Sequence, residues 1–96
     1  MTGSTRSSEG LDERRRRLLF RSWHRGIRET DLLLGRFADA QIGNLSDQEL
    51  DAYEALLEVP DHDLYAWVTN DGLAPKDYDT GLFRKLCDFH RGMKAD

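Results

Sequence analysis

The sequence predicts an all-α fold, a small five-helix bundle, and three observations carry that prediction. Apolar residues recur three, four and seven apart in five segments, capping and stop signals separate those segments, and none shows the sustained alternation of a strand. The chain has 96 residues, the size of one domain with a thin core. It is 39% hydrophobic and 33% charged with a mean hydropathy of -0.69, so its exterior is well charged. No stretch approaches the roughly 18 apolar residues of a membrane span, and no membrane insertion is expected. A deep cavity for a large cofactor would consume much of the apolar material, which favours binding through the outer surface.

Met1 to Gly10, rich in Ser, Thr and Gly, reads as a flexible tail, and residues 11–96 as a single helical domain. The first helix is expected over Leu11 to His24, with Leu11, Leu18, Leu19, Phe20 and Trp23 as its apolar stripe and Gly26 as a left-handed stop. The second is expected from about Ile27 to Ile42, buried through Leu33, Leu34, Phe37, Ala38 and Ile42. Gly35 interrupts it, which implies a bend or a close neighbour. Ser46-Asp47-Gln48-Glu49 is a capping box: the serine oxygen accepts an exposed amide while Glu49 reaches back to the serine amide. It starts a third helix running to about Glu58, with Leu50, Tyr53, Leu56 and Leu57 inward, and Val59-Pro60 ends it. Asp61 is expected to cap a fourth helix carrying Leu64, Trp67 and Val68 inward, which Asn70-Asp71-Gly72 stops. A fifth, from about Tyr78 to Arg91, places Leu82, Phe83, Leu86 and Phe89 on one side.

Charge is unevenly placed. Residues 1–36 hold nine Lys/Arg against five Asp/Glu, whereas residues 37–96 hold five against thirteen. A basic end can steer an acidic partner even though the formal net charge is -4. The run Arg14-Arg15-Arg16-Arg17 spreads around a full helical turn and reads first as a solvated face, then as a steering surface, and last as a nucleic-acid contact; net acidity argues against nucleic acid as a partner. One cysteine, Cys87, excludes an internal disulfide and a multi-cysteine zinc site. Cys87 and His90 lie three apart, the spacing of a nucleophile and its base, but no orienting acid or oxyanion-hole loop accompanies them, so a buried thiol and a surface imidazole are expected. His24 and His62 form no ligand spacing, and no metal is expected. The carboxylates Asp61, Asp63, Asp77 and Asp79 sit at helix starts, where the helix dipole accounts for them. No catalytic residue is assigned.

Trp23-His24-Arg25-Gly26-Ile27-Arg28-Glu29 is different, because charged side chains crowd a glycine in a tight connection between two helices. Arg25 can fork onto a carboxylate or onto carbonyls, and a bare Gly26 lets another backbone approach. Two readings stand level on these residues: a docking corner, or a capped corner closed by a local Arg25–Glu29 ion pair.

The same segment resembles the succinate dehydrogenase assembly factor 2 family, the flavinylation factors of the SdhE type. Its Arg-Gly-x-x-Glu motif (RGxxE) is present as Arg25-Gly26-Ile27-Arg28-Glu29, followed by Asp31-Leu32-Leu33-Leu34 and Phe37. Leu45-Ser46-Asp47-Gln48-Glu49, Leu56-Leu57-Glu58 and Asp63-Leu64-Tyr65-Ala66-Trp67 match further family segments, in order, over about residues 20–90. His24 stands where many members have a second arginine, and Thr30 where the residue is commonly apolar.

The resemblance implies a five-helix assembly chaperone, not an enzyme. It would bind the flavoprotein subunit of succinate dehydrogenase, and in some bacteria fumarate reductase, and promote covalent attachment of FAD. Arg25, Gly26 and Glu29 become the expected partner-binding residues, with His24, Arg28 and Asp31 beside them. FAD belongs to the client, and no cofactor is expected on this chain. A monomer forming a one-to-one complex is the simplest expectation. The leader lacks a signal-peptide apolar block and is shorter than a presequence, so a bacterial cytoplasm is expected ahead of the mitochondrial matrix.

Overall fold

The computed structural model describes residues 10–70 and 72–94, the side chains of residues 93 and 94 excepted. The expected tail, apart from Gly10, lies outside the described residues. Those residues form five α-helices and two 3-10 turns, and among them there is no strand. The all-α class is as the periodicity indicates. The chain divides into two units at the Leu45–Ser46 boundary.

The first unit contains α1 (Glu13–Trp23), α2 (Arg28–Gln41) and a 3-10 turn, Ile42–Asn44. α1 packs on α2, burying Leu18, Leu19 and Trp23 of one and Leu33, Leu34, Phe37 and Ala38 of the other. Their closest approach is the one anticipated at Gly35: a Cβ there would overlap Cδ2, Cε2 and Cε3 of the Trp23 indole. One turn along α2, Asp39 Oδ1 accepts the indole N–H at 3.2 Å. A flat aromatic face on bare backbone, with its polar edge satisfied, fixes Trp23 in place. Phe20 departs from expectation. It is 62% exposed, because the buried set Leu18, Leu19, Ser22 and Trp23 occupies positions i, i+1, i+4 and i+5, and a residue at i+2 faces away from that stripe.

The arginine run also behaves differently from a uniform solvated face. Arg15 turns to the far end of the unit, donating from Nε to the Ile42 carbonyl at 2.9 Å and from Nη2 to the Leu45 carbonyl at 2.6 Å. Carbonyls at a helix end lack intrahelical partners, so a forked cation suits them. Arg15→Met is expected to cost about 1.5–3 kcal/mol, the scale of hydrogen bonds to a charged group. Arg15→Lys should recover only part, since an ammonium cannot fork. Urea unfolding followed by circular dichroism checks both, and an unmoved midpoint for Arg15→Met would refute the clamp.

The second unit contains α3 (Asp47–Leu57), α4 (Asp61–Thr69), a 3-10 turn, Lys76–Tyr78, and α5 (Gly81–Lys94). The capping box forms as read: Ser46 Oγ accepts the Glu49 amide at 3.1 Å and Glu49 Oε1 accepts the Ser46 amide at 2.9 Å. The other carboxylate oxygen of Glu49 binds the Lys85 ammonium, tying α3 to α5. Lys85 first, then the Ser46 amide, holds the Glu49 carboxyl below its ordinary range. Two expected helix starts move. Pro60, not Asp61, takes the N-cap of α4, placing Asp61 and Asp63 in its first turn. α5 begins at Gly81 instead of Tyr78, because Thr80 Oγ1 caps it by accepting the Phe83 amide at 3.1 Å, and Pro75 precedes a separate 3-10 turn. Tyr78 in that turn packs on Trp67, ring centroids 5.2 Å apart. Gly72, with φ at 68°, is the left-handed residue after α4.

Candidate functional site: the α1–α2 corner

Three residues separate Arg25 from Glu29 in the corner, and local hydrogen bonds fix its backbone. α1 ends at Trp23, and His24 takes the C-cap with φ at -127° and ψ at 51°. The left-handed glycines among the described residues are Gly10 and Gly72, so Gly26 is not the left-handed stop expected of it. The chain turns instead through His24, and Ile27 enters α2 in an extended conformation. Asp31 braces the turn: its Oδ1 accepts the Arg25 amide at 2.6 Å, while its own amide donates to the Ile27 carbonyl. Thr30 is fully buried, and its hydroxyl donates to that same carbonyl at 3.1 Å, which is how a polar residue is accommodated there.

This bracing leaves Arg28 and Glu29 outside. His24, Gly26, Arg28 and Glu29 are exposed, and Arg25 and Asp31 are half-buried. Neither Arg28 nor Glu29 enters an ion pair among the described residues, so the local Arg25–Glu29 bridge is not formed. Glu29 stands in the first turn of α2, where the helix dipole favours its charge. Asp31 has an internal bracing role in addition to lying beside the motif. The residue that sequence reading missed is Phe20. Its ring stacks on that of His24, centroids 3.9 Å apart and planes 14° from parallel, and His24 Nδ1 donates to the Phe20 carbonyl at 2.7 Å. Its phase outside the buried stripe and its i, i+4 relation to His24 were the available signals.

The Cys87 and His90 pair is arranged otherwise than a nucleophile and its base. Cys87 is 3% exposed, and burial pushes its thiol above the usual range, with Arg91 opposing and Asp88 adding to the effect. A raised thiol is a poor nucleophile near neutrality. Both ring nitrogens of His90 are shielded from solvent, correcting the surface imidazole expected. Unfolding at alkaline pH should release the thiol proton. The stability contributed by the buried neutral thiol is therefore complete below the unfolded pKa of about 8.5 and is lost as pH rises through the folded value. Cys87→Ala should flatten that alkaline decline in the urea midpoint; an unchanged slope would contradict it. Among the described residues no three His, Cys, Asp or Glu side chains gather as a metal site.

The fold and the corner define a class: a small all-α chain whose braced, charged turn is held open to solvent. Residues 16–90 match the family model described as flavinator of succinate dehydrogenase (Sdh5), and the chain belongs to that family. It is 46% identical over 74 residues to the succinate dehydrogenase assembly factor 2, mitochondrial, of Debaryomyces hansenii, covering 77% of this chain and 48% of that protein. The Candida glabrata protein of that name is 41% identical over 88 residues, 88% of this chain and 58% of its own length. The Saccharomyces cerevisiae one is 44% identical over 95 residues, 95% and 59%. The chain thus spans about half the length of the curated relatives it matches. Their names overturn the expected bacterial cytoplasmic location, since each is called mitochondrial. That expectation rested on the absence of a leader, and the start of a chain covering part of its relatives says nothing about targeting.

Proposed function

We propose that this chain binds the flavoprotein subunit of succinate dehydrogenase through the α1–α2 corner and promotes covalent attachment of FAD to it, without being an enzyme itself. It acts in the mitochondrial compartment for which its relatives are named, as a monomer in a one-to-one complex, and the flavin stays with the client. The observation that carries the proposal is the exposure of Gly26, Arg28 and Glu29 on a backbone braced by Asp31, in a chain that belongs to the flavinator family.

The chemistry open to these residues is positioning. Glu29 offers a carboxylate to client amides or guanidinium groups, Arg25 and Arg28 offer forked donors to client carboxylates, and exposed Gly26 admits client backbone. A protein that binds one arrangement of a client more tightly than others raises that arrangement's population by its differential affinity. Holding reacting groups of the client near attack geometry can then speed their bonding. The arginine run fits phosphate less well, because Arg15 within it is committed to two carbonyls of its own chain. A pull-down of endogenous partners tests the proposal: the flavoprotein subunit should be recovered with the wild-type chain, and its absence while other proteins are recovered would refute the reading.

A further inference from the structure

A single exposed apolar residue is ordinary on a protein surface. Phe20 is more than that, because three independent features surround it. The first is its setting. The ring stacks on His24, and His24 is pinned by donating Nδ1–H to the carbonyl of Phe20 itself. One face of the phenyl ring is thereby held before any partner arrives, which reduces the side-chain entropy still to be lost on binding. The second is charge. Glu13–Trp23 carries five arginines and one glutamate; exposed Arg16 and Arg17 lie one turn before Phe20 and exposed His24 one turn after it. The Arg17–Glu13 pair is solvent-exposed and weak, so it can yield to a partner carboxylate. The third is position, since the stack runs directly into the corner at Gly26.

We propose that Phe20 and His24 form a pre-set aromatic seat that extends the corner's docking surface along α1 and receives an acidic protein surface of the same client. This rests on the corner reading above. An aromatic anchor with exposed arginines one turn away on the same helix has the composition in which interface energy concentrates. Its complement is a client patch with an apolar centre and carboxylates around it, the arginines speeding encounter and the ring slowing departure.

The test measures the Kd of the full chain for purified succinate dehydrogenase flavoprotein subunit, using wild type, Phe20→Ala, Glu29→Ala and Leu73→Ala. Leu73, 72% exposed in the second unit, controls for loss of any exposed apolar side chain. Alanine is the better helix former at position 20, and far-UV circular dichroism verifies that the helices persist. Phe20→Ala should raise Kd about tenfold or more, while Leu73→Ala leaves it unchanged. Arg16→Glu should slow association, with the difference fading as salt is added. If Phe20→Ala binds like wild type while Glu29→Ala loses affinity, the seat is overturned and the corner stands. If the wild-type chain does not bind the flavoprotein, both fall. Loss of duplex-DNA retention or of self-association in Phe20→Ala, with flavoprotein affinity intact, would also overturn the proposal by giving the seat a different occupant.

Discussion

Trp23→Ala is expected to lower the unfolding free energy by about 3–5 kcal/mol, the range for deleting a buried aromatic side chain. The indole fills the space over Gly35 and donates to Asp39, so its removal opens a cavity and leaves the Asp39 carboxylate without that donor. The converse change, Gly35→Leu, should cost about 1–3 kcal/mol or more, because even its Cβ collides with the ring and must drive it from its site. The two lesions act on one contact. Gly35→Leu made in the Trp23→Ala background should therefore cost less than Gly35→Leu made alone. Urea unfolding followed by far-UV circular dichroism reads all three variants. A shift under about 1 kcal/mol for Trp23→Ala would mean that this packing is not what backs the corner two residues away.

Gly26→Leu should have the opposite profile, leaving stability close to wild type while weakening the flavoprotein complex about tenfold or more. Gly26 is exposed and is not among the left-handed glycines, so a side chain there does not force a forbidden backbone conformation. On the proposed reading, it would obstruct the approach of client backbone to this exposed position. Calorimetric titration against the purified flavoprotein subunit reads the affinity, and thermal unfolding of the variant alone confirms the fold. Wild-type affinity for Gly26→Leu would place the contact elsewhere on the chain.

The fold was legible because helix signals in this sequence are redundant. The capping box at Ser46 and Glu49, the Gly35 interruption and the Val59-Pro60 stop each carry a local mechanism that the structure repeats. The misplaced start of α4 concerns which of two adjacent residues, Pro60 or Asp61, takes the cap, whereas α5 starts three residues later than expected because Tyr78 closes a separate 3-10 turn and Thr80 supplies the cap. The corner was legible as a motif, whereas its bracing was not. That Asp31 holds the Arg25 amide depends on the turn's three-dimensional path, and Gly26 turned out to be exposed without being left-handed. Arg15 and Phe20 were misread for related reasons. Inside a run of four arginines nothing distinguishes the one whose reach meets the Ile42 and Leu45 carbonyls across 27 and 30 residues of sequence. Phe20 was placed by hydrophobicity although its phase set it apart from Leu18, Leu19 and Trp23.

The central claim is that the charges left outside by the corner, Glu29 foremost, are what a flavin-bearing client holds. Its most direct measurement is in-gel flavin fluorescence of the succinate dehydrogenase flavoprotein subunit, in cells whose only copy of this chain carries Glu29→Ala at wild-type abundance. The account predicts a clear fall in covalently bound flavin with the subunit itself still present; fluorescence equal to wild type would contradict it.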